Sequence, residues 1–135
     1  MDKWTLDATI ENVATITDLI DAKLEEAGAS MKAEMQINIV IDEIFSNIAK
    51  YGYASGKGDA TVTLDILEDP LRAEITFINS GEPYDPLAQE DPDIHAALDD
   101  RPMGGLGILI IKKTMDDVSY EYRDNQNVLK VVKNL

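Results

Sequence analysis

Residues 36–53, QINIVIDEIFSNIAKYGY, decide how the rest of the chain is read. Ile37, Val40, Ile41, Ile44, Phe45 and Ile48 recur at helical spacing and form one apolar stripe, so a helix with one buried face is predicted. At roughly 100° per residue, Glu43 and Asn47 stand one turn apart on the same edge of that stripe. A carboxylate and a carboxamide at such a boundary are half desolvated, which costs free energy unless each has a partner such as a metal, a water or a ligand. On an arbitrary core helix the partner is usually a neighbouring backbone group, and the pair alone would be read that way. Two stretches further along point to more.

The first is 103–110, MGGLGILI, which places Gly104, Gly105 and Gly107, with Leu106 among them, at the start of a helix predicted over 106–115. Glycine lets a backbone come close to a ligand, and the N–H groups of a first helical turn point outward toward an anion. A glycine-rich turn also serves simply to pack a helix on a sheet, and by itself this stretch supports both readings equally. It is neither a dinucleotide fingerprint nor a Walker loop, because the spacing and the Lys-Ser/Thr ending are absent. The second is 77–86, FINSGEPYDP, which leaves a strand at Asn79, turns at Gly81 and bends at Pro83 and Pro86. Ordinary strand-exit chemistry accounts for it. Alternatively, the Asn79 side chain can hydrogen-bond a base while Gly81 lets the ring pass. Together, in this order, the three stretches compose a nucleotide site.

Working outward, Trp4, Leu6, Ala8 and Ile10 alternate with polar residues and predict a first strand. Thr9 is the expected cap of a helix carrying Val13, Ile16, Ile20 and Leu24 on one side, with Gly28 at its end. Ser30 is the expected cap of the next helix, which Gly52 stops after Tyr51. A polar connector over 53–58 leads into Val62, Leu64 and Ile66, a turn at Glu68, Asp69 and Pro70, and a return strand with Leu71, Ala73, Ile75 and Phe77. A second hairpin closes the chain: Val118, Tyr120 and Tyr122, a turn over 124–126, then a strand opened by Leu129 and Val131. Between the hairpins, 82–103 holds Pro83, Pro86, Pro92 and Pro102 and a cluster of acids. That segment is expected to be a lid with one short helix led by Asp91 and Pro92, and His95 is expected to be a solvated lid residue. The pattern is α+β, a two-layer sandwich with one layer of helices and one of strands.

The 135 residues fit one domain, 1–135, with a single core. Cysteine is absent and there is one histidine, which excludes disulfides, thiolate sites and a zinc centre and leaves oxygen ligands for any metal. The opening MDKWTLDAT is not a signal peptide, and no apolar run is long enough for a bilayer, so a cytoplasmic protein is expected. A net charge of −14, from 26 acidic and 12 basic residues, repels nucleic-acid backbones and anionic lipid, and neither is an expected partner. An anionic ligand such as ATP must be attracted locally, by backbone N–H groups, a divalent cation and one or two basic side chains.

The ordered set E-x-x-x-N (Glu43, Asn47), N-x-G-x-P (Asn79, Gly81, Pro83) and G-G-x-G (Gly104, Gly105, Gly107) resembles the N, G1 and G2 boxes of the GHKL ATPase superfamily. The resemblance is strongest to its single-domain anti-sigma-factor serine/threonine kinases, and it extends over nearly the whole chain, including the lid and the closing YEYRDNQNVLKVVK hairpin. It implies the Bergerat fold, with a mixed, mostly antiparallel sheet covered on one face by helices. It further implies Glu43 as general base, Asn47 on Mg²⁺, Asn79, Gly81 and Pro83 around adenine, and Gly104, Gly105, Leu106 and Gly107 around the phosphates of ATP. Arg101, just ahead of the glycines, would meet the γ-phosphate, with a solvated loop arginine as the plain alternative.

Two residues depart from the family's pattern. Asn79 stands where Asp is usual. A neutral hydrogen bond contributes about 1 kcal/mol and a charged one about twice that, so several-fold weaker adenine binding is expected. Lys50 and Tyr51 stand where relatives often carry an aromatic or histidine beside Gly-Tyr, which bears on the substrate side. The implied function is a Mg·ATP-dependent kinase that phosphorylates a serine or threonine of a small anti-sigma-factor antagonist. The alternative is a nucleotide-binding module that sequesters a sigma factor or an antagonist without turnover. A domain detached from a sensor histidine kinase ranks below both, because the chain has no phosphoacceptor helix pair. Monomer and homodimer both stay open.

Overall fold

The elements follow in the order β1 (Asp2–Asp7), α1 (Glu11–Glu26), α2 (Met31–Tyr51), β2 (Asp59–Leu67), β3 (Arg72–Asn79), α3 (Gly105–Thr114), β4 (Asp117–Arg123) and β5 (Gln126–Asn134). They are seen in a computed structural model that describes residues 1–53, 55–85 and 105–135. The expected lid helix at Asp91, His95, Arg101 and Gly104 lie outside the described residues.

The strands form one sheet in the order β1-β2-β3-β5-β4. A mixed, mostly antiparallel sheet was the expectation, and among the described residues every pairing is antiparallel. The hairpins β2–β3 and β4–β5 account for two of these pairings. Of the other two, β1 pairs with β2 at the sheet edge, and the excursion through α3 and β4 returns β5 alongside β3 in the opposite direction and sets Asn127 opposite Asn79.

Period-2 alternation decides which face is buried. Ala60, Val62 and Leu64 of β2, Ala73, Ile75 and Phe77 of β3, and Leu129 and Val131 of β5 are all buried, while their neighbours in sequence stay partly exposed. The helices cover this face. Helix α1 buries Ile16, Ile20 and Leu24, α2 buries Ile37, Val40, Ile41, Ile44, Phe45 and Ile48, and α3 buries Ile108 and Ile111. Each such side chain contributes about 1.5–3 kcal/mol relative to exposure, so this shared core is what holds α2 and α3 at fixed positions above the strand ends.

Most of the expected element ends hold. The Ser30 hydroxyl accepts the Ala33 N–H at 3.1 Å, and Gly28, at φ +80°, leaves α1 through the left-handed region. The cap of α1 differs from expectation. Ile10, not Thr9, occupies the N-cap position, and no side chain caps it. The chain turns here because the Ala8 N–H bonds Gly58 O at 2.9 Å and Asn12 Nδ2 donates to Asp7 O at 2.8 Å. Ile10 is therefore outside the strand and exposed. The closing turn places both Asp124 (φ 55°) and Asn125 (φ 62°) in the left-handed region, as a two-residue hairpin loop requires. The last strand consequently begins at Gln126, three residues before the expected Leu129, and Asn127 lies inside it.

Candidate functional site

Midway along α2, Glu43 and Asn47 are both half-buried, at the edge of the apolar stripe. Asn47 Nδ2 donates to Glu43 Oε1 at 3.3 Å. That bond uses the amide nitrogen and leaves Asn47 Oδ1 as the acceptor of the pair. The first turn of α3 lies against the same carboxylate: a Cβ built on Gly107 would stand 1.9 Å from Glu43 Cδ and 2.1 Å from Oε1. Any side chain at 107 would have to displace the Glu43 carboxylate. Gly105 and Leu106 belong to the same helical turn through their backbone.

The second contact lies at the C-terminal end of α2. Strand β3 ends at Asn79, and a Cβ on Gly81 would stand 1.7 Å from the carbonyl oxygen of Gly52, so the loop after β3 packs directly on the end of α2. The loop is held by a carboxamide pair. Asn127 Nδ2 donates to Asn79 Oδ1 at 2.8 Å and to Glu82 O at 2.9 Å. Asn79 Oδ1 also accepts the Gly81 N–H at 3.3 Å. Asn127 Oδ1 accepts the Tyr84 N–H at 3.0 Å and the Tyr120 hydroxyl. Ser80 is tied in separately, its N–H donating to the Tyr53 hydroxyl at 3.1 Å. Both asparagines are buried, at 8 % exposure, and each polar contact stands in for the water it has lost.

Between these two contacts lies a cavity of about 450 Å³. Ile44 and Ile48 of α2, Phe77 of β3, Ile108 of α3 and Leu129 of β5 give it apolar walls, and Asn47, Asn79, Asn127 and Tyr120 bring polar groups to it. Tyr51 and Pro83 also line it. Burial is the main influence on Tyr120 and pushes its hydroxyl pKa up; the Tyr84 backbone bond lowers it, and Asp85 raises it further. The phenol is accordingly a neutral donor to Asn127. An apolar slot of this size with a few convergent polar groups suits a planar heterocycle carrying a polar tail.

Residues 6–133 match a family model described as the histidine kinase-like ATPase domain. The chain belongs to this family. Among curated proteins, it is 26 % identical over 100 residues to the serine/threonine-protein kinase BtrW of Bordetella bronchiseptica, covering 74 % of this chain and 70 % of that one. It is 28 % identical over 106 residues to the serine-protein kinase RsbW of Listeria innocua, covering 76 % and 68 %. Among solved structures, that of the RsbU and RsbW domains of Rv1364c from Mycobacterium tuberculosis superposes with a TM-score of 0.70 at 16 % identity, over all of this chain and 33 % of that one. The catalytic domain of histidine kinase ThkA superposes with a TM-score of 0.50 at 13 % identity, over 99 % and 97 %. These two likenesses show the fold.

In this histidine kinase-like ATPase domain the sequence boxes meet α2 at two places: the first touches the third midway along it, at Glu43 and Gly107, and the second packs on its C-terminal end, at Gly81 and Gly52. Arg101 and Gly104 lie outside the described residues. Sequence reasoning missed Asn127 and Tyr120. A signal for Asn127 was present: Asn127, Leu129 and Val131 alternate on one face, so an asparagine occupies a core-facing position of the closing strand.

Proposed function

We propose that this domain is a serine/threonine protein kinase of the anti-sigma-factor type. It takes the Mg²⁺ complex of a purine nucleoside triphosphate, ATP in the family, and phosphorylates a hydroxyl of a small anti-sigma-factor antagonist, with a sigma factor as the further partner. The observation that carries this reading is the contact of the Glu43 carboxylate with the first turn of α3 at Gly107, beside the cavity.

The chemistry fits the roles. Phosphoryl transfer requires positioning and charge stabilisation more than covalent help. The N–H groups at the start of α3 offer an anion site inside an otherwise acidic protein. Glu43 is the base that accepts the proton of the incoming hydroxyl, and Asn47 holds it in place through the Nδ2–Oε1 bond. Asn47 Oδ1 is a hard oxygen donor of the kind Mg²⁺ takes. Among the described residues no three acidic or histidine side chains converge on one point, so the cation would be shared between Asn47 and the phosphates. When bound it neutralises phosphate charge.

Glu43→Gln tests the assignment. Nucleotide affinity by calorimetry should stay within about twofold, while phosphate transfer to an antagonist protein falls about 10²- to 10⁴-fold, the range of a general base. Transfer at the wild-type rate would remove Glu43 from the mechanism. A second reading, a nucleotide-gated binding module without turnover, is favoured by one observation: Asn79 Oδ1 is already engaged by Gly81 and Asn127. Nucleotide-dependent capture of the antagonist with no transfer by the wild-type protein would establish it.

A further inference from the structure

The carboxamide pair decides which edge of a base the cavity can read. An sp² oxygen has two acceptor positions. On Asn79 Oδ1 both are filled, by the Gly81 N–H at 3.3 Å and by Asn127 Nδ2 at 2.8 Å. Neither amide can be turned over without loss, because backbone groups set both orientations. The Gly81 N–H can only donate, so Asn79 must offer it oxygen. The Tyr84 N–H can only donate and Glu82 O can only accept, so Asn127 offers oxygen to the first and nitrogen to the second. The polar atom of Asn79 outside this network is Nδ2, and no acceptor stands against it among the described residues.

Resting on the reading that the cavity holds a purine nucleotide, we propose that the Asn79–Asn127 pair makes the base subsite a hydrogen-bond donor. The site then selects a purine with a 6-oxo group, as in inosine and guanosine triphosphates, over one with a 6-amino group. Adenine is recognised by a carboxamide through two bonds, one from nitrogen to the ring and one from the 6-amino group to oxygen. The second is closed here because Oδ1 is saturated, so adenine keeps only the ring-nitrogen bond and sets its 6-amino group donor against donor at the other Nδ2 hydrogen. A 6-oxo purine presents two acceptors side by side, the ring nitrogen and the 6-oxo oxygen, one for each Nδ2 hydrogen. A carboxylate at position 79 would reverse this: one oxygen would satisfy Gly81 and Asn127, and the other would accept from the 6-amino group. The two contacts along α2 give the orientation. Gly52 and Glu43 are nine residues apart on the helix, about 13 Å at 1.5 Å per residue, which sets the base end at Asn79 well away from the phosphate end at Gly107.

Inosine triphosphate isolates the effect, because it lacks the 2-amino group of guanine and so carries the 6-oxo group alone. Competition binding of ATP, ITP and GTP with Mg²⁺ is measured on the wild-type protein and on Asn79→Asp. The expected result is ITP tighter than ATP by about tenfold, the factor that follows an unpaired buried donor, and an inverted ratio in Asn79→Asp. ATP bound as tightly as ITP or more tightly by the wild type overturns the proposal. The wild-type ratio decides even if the variant fails to fold. A protein that binds none of the three fails at the earlier step, as a nucleotide site, while one that binds ATP in preference keeps that reading and loses only this one.

Discussion

Gly107 and the carboxylate of Glu43 leave no room between them for a methyl group, since a Cβ at 107 would come within 1.9 Å of Glu43 Cδ. The obstructed atom is the far end of a flexible side chain, so Gly107→Ala would move Glu43 and leave the backbone in place. Alanine is favoured over glycine in a helix by up to about 1 kcal/mol. The expected outcome is unchanged or raised thermal stability together with a loss of phosphate transfer of about 10²-fold, the effect of a displaced catalytic group. Calorimetry and a transfer assay on the same preparation check it. Full transfer would show that the position of Glu43 does not matter.

Gly81→Ala should behave in the opposite way. Its Cβ would meet Gly52 O at 1.7 Å, and a backbone carbonyl cannot rotate aside. The loop must lift from the end of α2, with a stability loss of about 1–3 kcal/mol, typical of overpacking, and weaker nucleotide binding. Urea unfolding gives the first quantity and titration the second; a fully stable variant would place the loop elsewhere.

Asn127→Leu removes the hub of the loop after β3. The Tyr84 N–H, the Glu82 carbonyl and the Tyr120 hydroxyl would each lose a partner. At about 1–3 kcal/mol for a buried polar group left unsatisfied, the midpoint of unfolding should fall clearly, and nucleotide affinity with it. Asn127→Ala, which admits water to the same groups, should lose less stability than the leucine variant.

Two carboxylates should give opposite slopes of stability with pH. The Lys130 ammonium, hydrogen-bonded to Glu74 at 2.6 Å, outweighs partial burial and holds the Glu74 pKa below its ordinary value, with Arg72 assisting. A depressed pKa stabilises the fold above the unfolded value, and this stability is lost as pH falls through the folded value. Lys130→Met should therefore lower stability at neutral pH and shrink the part of it that is lost on acidification. Burial raises the pKa of Asp21 despite the Asn38 hydrogen bond, with Glu25 and Asp18 adding to the rise. A raised carboxylate weakens the fold when ionised, so stability is regained as pH falls through the folded pKa toward the unfolded one. The buried Asp21 Oδ1 and Asn38 Oδ1 have no partner among the described residues. Asp21→Asn supplies a donor and should add about 1 kcal/mol at neutral pH, a gain that shrinks on acidification. Melting temperatures across a pH series test both signs.

Much of this was legible in the chain itself. Ile37 through Ile48 mark a helix and its buried face because burial repeats with the helical period, and the same periodicity puts Glu43 and Asn47 one turn apart at its rim. Thr9 misled because a strand that stops at Asp7 is ended by a hydrogen bond from Ala8 to Gly58, a residue fifty positions away that local chemistry cannot anticipate.

The order of the three boxes, the two hairpins and the two-layer class follow from local periodicity and turn chemistry, which act within a few residues of each other and so are written in the chain. Which atom of Asn79 stays outside the hydrogen bonds of the carboxamide pair was decided only in three dimensions. That depends on Asn127, 48 positions away, arriving opposite it through the β3–β5 register and filling its oxygen. The meeting of Glu43 with Gly107 is of the same kind, since it depends on two helices docking on one sheet. Register and docking are set by the shared core as a whole, and no short stretch of sequence carries them.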